Sequence, residues 1–366
     1  MRGDDSDDPT APPRDVSFNH APLEHEPEIS RLEQHLREDC GWNPIKLPLG
    51  VMRNNEDPMG AEKELGPNVC VRCKFCGGYP CKIQAKSDAR TICIDPIKDL
   101  PNITLLTGRH VDELVASNCG HHVDEVVCTG PDGEETYSAD IVVLAAGAAN
   151  SAALLLRSTC KNHPNGLANG SDQVGRNYMF HTMSAIVSLT GHEVSADFPK
   201  TLGLNDFYHG DPDGSYNFPM GHVQTLEYMT GDVLEGQVGD MVPHWLIPNW
   251  LSGNIGKRML SFLVLSEDLP MPENRIRWDG ERIHLEYTYN NLESHKRLVK
   301  KFDGALDTFC DESRWVSDHH FQISKLLPIY GTAHQCGTAR MGHDPKTSVV
   351  NVDCRAHEVD LSLIHI

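Results

Sequence analysis

The stretch that decides the fold is ADIVVLAAGAANSAALLL, which runs from Ala139 to Leu156. It begins as a nearly continuous apolar run, turns through Ala-Ala-Gly-Ala and continues as a second apolar run. The stretch is too short for a typical membrane span, and Asn150 and Ser151 interrupt it. A buried strand, a glycine turn and a buried helix fit it better, and this order is typical of nucleotide-binding α/β sheets.

The small residues of the turn favour the close approach of a ligand. Ala146, Gly147 and Ala148 carry almost no side chain, so the backbone can come close to a flat cofactor or its pyrophosphate. A tightly packed strand–helix corner without a ligand would use the same residues. The turn alone leaves both interpretations open.

Composition and charge narrow the class of protein. The chain has 366 residues, enough for two domains, and its 39% hydrophobic and 23% charged residues are ordinary for a soluble globular protein. A formal net charge of -20 argues against binding to nucleic acid or to an anionic membrane, because the phosphates would be repelled. No secretory signal is visible and most of the 12 cysteines are scattered, so a soluble, cytoplasmic protein is favoured.

Periodicity predicts the elements around this stretch. Apolar residues at helical spacing in PEISRLEQHLREDCG (27–41) and NNLESHKRLVKKFDGALDTFC (290–310) predict amphipathic helices. Alternation in HTMSAIVSLTG (181–191) and NRIRWDGERIHLEYTY (274–289) predicts antiparallel strands with one wet face. Pro-Asp-Gly at 131–133 predicts a hairpin turn. We therefore expect an α/β part and an α+β part.

A second segment, VGRNYMFH from Val174 to His181, follows the strand–turn–helix stretch. Together the two resemble the glucose–methanol–choline (GMC) family of flavin oxidoreductases, which carries similar Ala-x-Gly-Ala-x-x-Ser-Pro-x-Leu-Leu and Val-Gly-x-Asn-x-x-x-His segments. Ala152 replaces the usual proline, and the Ser-Gly-x-Gly that normally ends the first segment is absent after Leu156. The resemblance implies that Asn177, like the small residues of the turn, lies at the FAD site.

The stretch PNITLLTGRHVDELVAS, from Pro101 to Ser117, also resembles the family. In the family the corresponding strand delivers a backbone contact to the FAD adenine, and by position the residue here is Val111. A valine of the hydrophobic core would look the same in the sequence, because a backbone contact leaves little trace in the side chain.

The stretch AHQCGTARMGHDPKTSVV, from Ala333 to Val350, carries the second strong resemblance. It resembles the C-terminal His-x-x-Gly-Thr-x-x-Met-Gly segment of the family, and His334 stands where the family has its catalytic histidine. The resemblance places Gly337 and Thr338 beside the cofactor. A lone histidine is usually structural and the chain has 20 of them, so the motif, and not the residue type, carries this prediction.

The chemistry of such a site needs two acceptors. Oxidation of a CH–OH group to a carbonyl releases a hydride, which flavin takes up, and a proton from the hydroxyl. A neutral imidazole, whose ordinary pKa is about 6.5, accepts a proton near neutral pH. The resemblance implies this role for His334, with a second His or Asn further along the chain as its partner.

Four of the cysteines form the cluster CVRCKFCGGYPC, in which Cys70, Cys73, Cys76 and Cys81 are separated by two, two and four residues. The spacing resembles, without matching, the iron–sulfur (Fe–S) run of ferredoxins, and zinc sites usually have two pairs farther apart. Structural thiols or disulfides are the alternative. Some GMC proteins have a similar loop near the flavin, with a following Ala-Lys that corresponds here to Lys86. Metal in the cluster would instead indicate an Fe–S or metal-binding electron-transfer protein.

Two features of the family are missing from the sequence. No Gly-x-Gly-x-x-Gly turn occurs, and the segment with the second polar residue is replaced by LSLIHI, which matches a translated sequencing adapter. His365 is therefore not assigned as the missing partner. The expected organisation is an N-terminal segment with the Cys-rich loop (1–95), an FAD-binding domain in two parts (96–180 and 331–360), a substrate-binding domain (181–330) and a non-native tail (361–366).

The expected fold is an incomplete FAD-binding Rossmann-type domain with a β-sheet substrate-binding domain. In the second domain, Tyr287 and Tyr289 either line the wall of the substrate cavity or are exposed aromatic residues on neighbouring strands. The expected function is that of a truncated FAD-dependent oxidoreductase acting on the CH–OH group of an alcohol or sugar, with an unassigned electron acceptor. A non-catalytic remnant is a third interpretation. We expect the chain by itself to bind FAD poorly and to be inactive.

Overall fold

The computed structural model describes residues 3, 8, 10–18, 20–52, 69–73, 76, 79–189, 193–194, 197–226, 258–311 and 322–363. The chain forms two compact units. Unit 1 comprises residues 1–103, 182–266 and 292–327, and unit 2 comprises residues 104–181, 267–291 and 328–366.

The described helices are α1 (Pro27–Glu38), α2 (Ala148–Arg157) and α3 (Leu292–Asp311), with a π-helical turn at Arg90–Ile94 and a 3₁₀ turn at Ile329–Gly331. The described strands are β1 (Ile45–Lys46), β2 (His110–Ala116), β3 (Val123–Gly130), β4 (Gly133–Tyr137), β5 (Val143–Leu144), β6 (Thr182–Leu189), β7 (Leu202–Leu204), β8 (His222–Thr225), β9 (Met259–Ser266), β10 (Arg275–Trp278), β11 (Ile283–Glu286), β12 (Gln322–Leu326) and β13 (Ser362–Leu363). No described helix has the length and apolar character that a membrane crossing needs.

Unit 1 is built on an antiparallel sheet in which six of the described strands lie in the order β1-β7-β8-β9-β6-β12. Its longest ladder joins β6 to β9, from Thr182 opposite Ser266 to Leu189 opposite Met259. The helices α1 and α3 were both predicted from periodicity, and both predictions are confirmed. Their apolar residues join those of the sheet in one core, where the rings of Phe262 and Phe302 meet at 5.0 Å.

A buried histidine of α3 connects β6 and β9, which are neighbours in this sheet. His295 is 3% exposed, and its Nε2 and Nδ1 atoms lie 2.8 Å and 2.9 Å from the hydroxyl oxygens of Ser184 and Ser266. A neutral imidazole suits this position, because one nitrogen donates to a hydroxyl and the other accepts from one. Burial lowers the pKa of His295 to about 4, since an imidazolium there would lose its hydration.

This histidine predicts that acid destabilises unit 1. The unfolded chain binds the proton below the ordinary pKa of 6.5, whereas the folded chain resists it down to about 4. Stability from the neutral form is therefore fully present above pH 6.5 and is lost as pH falls towards 4, by about 3 kcal/mol. In urea unfolding at pH 7.5 and pH 4, His295→Gln should lose less stability than the wild type, because the amide keeps both hydrogen-bonding roles without titrating.

The matched control is His209→Gln, which replaces an exposed histidine of the same unit. It should keep the wild-type dependence of unfolding free energy on pH. If His295→Gln also kept that dependence, the neutral histidine would not be a source of acid sensitivity.

Unit 2 contains an antiparallel sheet β2-β3-β4, the helix α2, the antiparallel hairpin β10-β11 and a short parallel pair of β5 with β13. The turn predicted at 131–133 joins β3 to β4, so that prediction is confirmed. The hairpin confirms the antiparallel strands predicted within 274–289. A single core combines α2 with all three of these sheets, and its fully buried side chains include Ala152, Leu155, Leu167, Val174, Tyr178, Ile276, Val350 and Leu363.

The long strand predicted over DIVVLAAGA is wrong in extent. Only Val143 and Leu144 form a strand, and α2 then begins at Ala148 as predicted. A strand extends only as far as its neighbours pair with it, and the only described partner of β5 is the two-residue β13. Ile141 and Val143 are consequently 76% and 51% exposed. The mixed α/β class is confirmed, whereas a multi-stranded parallel sheet is absent from the described residues.

The division into units differs from the expected domains in several places, since residues 1–103 share unit 1 with 182–266 and 292–327, and residues 328–330 lie in unit 2. Residues 267–291, with the hairpin β10-β11, lie in unit 2 together with 104–181 and 328–366. The roles assigned to the domains stay predictions. In the predicted non-native tail, Ser362 and Leu363 form β13. The origin of the tail stays a prediction, and His365 lies outside the described residues.

Candidate active site

The two sequence motifs VGRNYMFH and HQCGT lie side by side in unit 2 as antiparallel segments. The N–H of Met179 donates to the carbonyl of Cys336 at 3.0 Å, and the N–H of Cys336 donates back to the carbonyl of Met179 at 2.9 Å. The N–H of Gly175 donates to the carbonyl of Thr338 at 2.7 Å. This register brings together residues that are far apart in the sequence.

The same register places His181 opposite His334, two residues from the Met179–Cys336 pair on each segment. The two imidazole rings meet edge to face, with centroids 4.9 Å apart and planes at 89°. His334 is exposed and has φ 64°, a left-handed conformation that non-glycine residues seldom adopt. The predicted catalytic residue is thus presented at the surface of unit 2 by a loop with an unusual backbone.

Gly337 and Thr338, both predicted to lie beside the cofactor, hold this loop in place. Gly337 has φ 92°, and a Cβ atom on it would lie 1.9 Å from the carbonyl oxygen of Asn177, so no other residue fits without movement. Thr338 is completely buried, and its hydroxyl donates to the carbonyl of Ala148 at 2.8 Å. The hydroxyl thereby connects the histidine loop to the first residue of α2.

Gly337→Ala should therefore destabilise the protein strongly. The new methyl group would push Gly337 and Asn177 apart and would impose the cost of a positive φ, together on the order of 2–4 kcal/mol. Thermal unfolding measures the change. Gly331→Ala is the matched control, since its Cβ would meet nothing closer than 3.8 Å. Equal melting temperatures for the two variants would contradict the tight pairing described above.

Acidic side chains also lie close to His181. Its Nδ1 is 3.7 Å from Oε2 of Glu267. Burial lowers the pKa of His181, Glu267 and Asp268 act to raise it, and His334 acts to lower it. Neither the acidic residues nor the role of His181 was predicted. The only signal is that Glu-Asp directly follows an apolar strand, which is too common a pattern to indicate a site.

Asp268 is a buried carboxylate within this group. It is 8% exposed and accepts hydrogen bonds from the hydroxyl of Tyr287 at 2.8 Å, the N–H of Phe180 at 3.3 Å and the N–H of Leu269 at 2.9 Å. Burial raises the pKa of Asp268, although these hydrogen bonds oppose the rise. The carboxylate fixes the segment that precedes His181.

The aromatic rings that precede His181 in the sequence pack against those of Tyr287 and Tyr289. The ring of Phe180 lies 4.9 Å from that of Tyr287 and 6.0 Å from that of Tyr289, and Tyr178 meets Tyr287 at 6.1 Å. Burial raises the pKa of Tyr178 to about 12. Tyr287 and Tyr289 are half-buried against the core of unit 2 and are not exposed cross-strand aromatics. Their predicted role in a substrate cavity stays a prediction.

Asn177 indicates that the site fits a polar ligand. It is 1% exposed with φ 59°, and within the part of the chain that the structure describes neither polar atom of its side-chain amide has a hydrogen-bond partner. A buried amide left in this way costs about 1–3 kcal/mol, which a ligand with donors and acceptors would offset. Asn177 is one of the residues predicted to bind FAD.

The turn before α2 offers a complementary surface. Gly147 has φ 77°, and a Cβ atom on it would find no neighbour within 4 Å. Ala146 and Gly147 are exposed, while Ala148 is buried as the first residue of α2. The first N–H groups of a helix have no acceptor within the helix and attract anions. The turn therefore suits the pyrophosphate part of a dinucleotide. The side-chain amide of Asn177 suits a polar group with hydrogen-bond donors and acceptors.

Val111 lies apart from these residues, on β2 opposite Cys128. It is half-buried against the core of unit 2, and its carbonyl accepts a hydrogen bond from the guanidinium of Arg157. Its packing agrees with the alternative of a core valine. The backbone contact to an adenine stays a prediction.

The cysteine cluster belongs to unit 1. Cys70 is buried, Cys73 is exposed, and Cys76 and Cys81 are half-buried. Among the described residues, which include all four cysteines, no three His, Cys, Asp or Glu side chains are placed to hold a metal ion. The geometry thus gives no support to the predicted metal ligands.

Two residues of this loop have defined interactions. Burial acts to raise the pKa of the Cys81 thiol, but backbone N–H groups led by that of Ala85, 3.3 Å away, outweigh it, and the pKa is lowered. The ammonium of Lys86 donates to the carbonyls of Tyr79, at 3.2 Å, and Cys76. Lys86 therefore stabilises the loop backbone.

The two motifs and their pairing agree with the flavin oxidoreductase family that the sequence resembles. Two family models, both described as GMC oxidoreductase, match the chain over residues 27–183 and 272–361. The chain belongs to the GMC oxidoreductase family, as its motifs predicted. Members of this family bind FAD, so the predicted class of FAD-dependent oxidoreductase is confirmed for the family.

Several curated proteins are similar to the chain. It is 28% identical over 338 residues to paromamine 6'-oxidase of Streptomyces fradiae, covering 87% of the chain and 56% of that protein. It is 25% identical over 256 residues to 2-methyl-1,2-propanediol dehydrogenase of Mycolicibacterium austroafricanum, covering 68% of the chain and 46% of that protein. For gluconate 2-dehydrogenase flavoprotein of Pantoea cypripedii the identity is 23% over 382 residues, covering 93% and 58%. The chain spans about half the length of the curated relatives it matches.

Among solved structures, formate oxidase of Aspergillus oryzae RIB40 superposes with a TM-score of 0.51 at 14% sequence identity. The match covers 73% of this chain and 56% of the oxidase. At this identity the similarity concerns the fold alone. It agrees with the family assignment.

Proposed function

We propose that the intact protein oxidises the CH–OH group of a small alcohol or sugar substrate, with FAD as hydride acceptor and His334 as proton acceptor. The observation that carries the proposal is the pairing that presents His334 at the surface of unit 2 beside His181, whose segment also carries the unsatisfied amide of Asn177. Family membership and the named activities of the relatives support the reaction class. Their names cover a paromamine, a diol and a gluconate, so the shared feature is the hydroxyl group.

The chain supplies positioning and proton transfer. FAD, when bound, supplies the redox chemistry by accepting the hydride. The imidazole of His334 is exposed, so a substrate hydroxyl can reach it and give up its proton. The amide of Asn177 and the turn at Gly147 would hold the cofactor by hydrogen bonds and by the helix N-terminus. The Rossmann-type character of the FAD-binding part and the contact at Val111 belong to the same proposal.

The electron-transfer alternative has less support. It requires a metal or Fe–S cluster at Cys70–Cys81, and the described residues contain no group of three ligands. A non-catalytic remnant would have the family fold but would not carry out the reaction. The His334→Gln experiment described below distinguishes this alternative from our proposal.

His334→Gln in the intact protein should lower kcat by about 10²- to 10⁴-fold, because glutamine cannot accept the hydroxyl proton. The measurement is reduction of an artificial dye by a panel of alcohols and sugars, with the flavin spectrum recorded to verify that FAD is retained. His343→Gln is the matched control, since this exposed histidine lies in the same loop. Equal turnover by the two variants, or a wild type that oxidises none of the panel, would contradict the proposal.

Asn177→Gly should weaken FAD binding at least tenfold in the intact protein. Glycine tolerates φ 59° and removes an amide that has no partner in the cofactor-free chain, so the unfolding free energy without FAD should change little. Flavin fluorescence gives the dissociation constant, and urea unfolding of the FAD-depleted protein gives the stability. Unchanged FAD affinity would remove Asn177 from the cofactor site.

A further inference from the structure

A second imidazole lies in contact with the proposed base. We propose that His181 and His334 form a pair that holds a single proton, with Glu267, which lies beside His181, stabilising the charged form of the pair. His181 is then a positioning residue that acts through His334. This inference rests on the proposed function and deepens it.

The first support is the geometry of the two rings. The hydrogen bonds between Met179 and Cys336 fix the register that sets His181 opposite His334, with ring centroids 4.9 Å apart. Two imidazolium charges at this separation repel each other, so the first proton on the pair disfavours the second. Groups in such contact titrate as a pair and not as separate residues.

The second support is the surroundings of His181. The charged and titratable groups that act on it are Glu267, Asp268 and His334. Half-burial of His181 disfavours a charge on its ring, whereas the carboxylate of Glu267, 3.7 Å from Nδ1, favours one. A second proton on the pair is disfavoured by the charge of the first. Asp268 is buried and accepts hydrogen bonds from Tyr287, Phe180 and Leu269. Its charge acts on His181 through space, and the described residues show no direct contact between the two side chains.

The proton balance of the reaction matches such a pair. Oxidation breaks the O–H and C–H bonds of the substrate and leaves a carbonyl. The hydride takes two electrons to the flavin, and the remaining proton goes to the imidazole of His334. The pair thus passes from neutral to singly protonated in one turnover, which is the charge state that Glu267 favours. His181 precedes the motif of His334 in the sequence, so it differs from the downstream His or Asn that the family resemblance implies.

The test is a proton titration by NMR of the intact protein with labelled histidine, following the ring Cε1–H signals of both residues against pH. In the wild type the two rings should titrate in two separate steps. Replacing the histidine that titrates at the higher pH, by His181→Gln or His334→Gln, should raise the pKa of the histidine that remains, by at least one pH unit. Glu267→Gln should lower the pH at which the pair takes up its first proton.

The control is His343→Gln, which should leave both titrations unchanged. The inference is overturned if each histidine keeps its wild-type titration when the other is replaced. Should His181→Gln fail to fold, Glu267→Gln still decides, because an unchanged first step would exclude the stabilising carboxylate.

The dependence of kcat/KM on pH gives a second readout. His181→Gln should shift the acid limb of the profile while retaining more activity than His334→Gln, and His181→Phe, which cannot hydrogen-bond, should lose more. The two hypotheses fail separately. If the His334→Gln variant is active and the two titrations are coupled, His334 is not the base but the histidine pair stands. If the variant is inactive and the titrations are independent, only the pair is rejected.

Discussion

The pairing of Met179 with Cys336 is the interaction on which the candidate site depends. Two reciprocal backbone hydrogen bonds fix the register of segments that are distant in sequence, and the opposed histidines follow from that register. The register in turn requires Gly337, because its α-carbon approaches the carbonyl of Asn177 too closely for any side chain. The presence of Gly337 thus has a steric cause, and no catalytic role is needed to account for this glycine.

The helices α1 and α3 and the strand β6 of unit 1, and part of unit 2, could be predicted from sequence, because these elements carry strong local signals. Helical spacing of apolar residues located α1 and α3, and the Pro-Asp-Gly turn located the β3-β4 hairpin. The strand around Val143 was overestimated, since a buried-looking run becomes a strand only where neighbouring strands pair with it. Periodicity reports the tendency of a segment, whereas its partners decide how far the segment extends.

The motif residues of the site could be predicted from the sequence, whereas the residues that surround them could not. His334, Thr338 and Asn177 were found because they stand at fixed positions in segments that resemble a family. Glu267 and His181 acquire their relationship only through folding, as the residues that directly follow β9 and precede β6. No local pattern announces such a pair, because its two members are brought together by a ladder formed between separate stretches of chain.

The central claim is that this pairing builds the place where a CH–OH group meets the proposed base beside FAD. A crystal structure of the intact protein with FAD and an unreactive substrate analogue tests it most directly. The account predicts the analogue hydroxyl within hydrogen-bond distance of His334, the ring of His181 on the other side of that imidazole, and the amide of Asn177 bonded to the cofactor. An analogue bound away from His334, with Asn177 still unsatisfied, would contradict it.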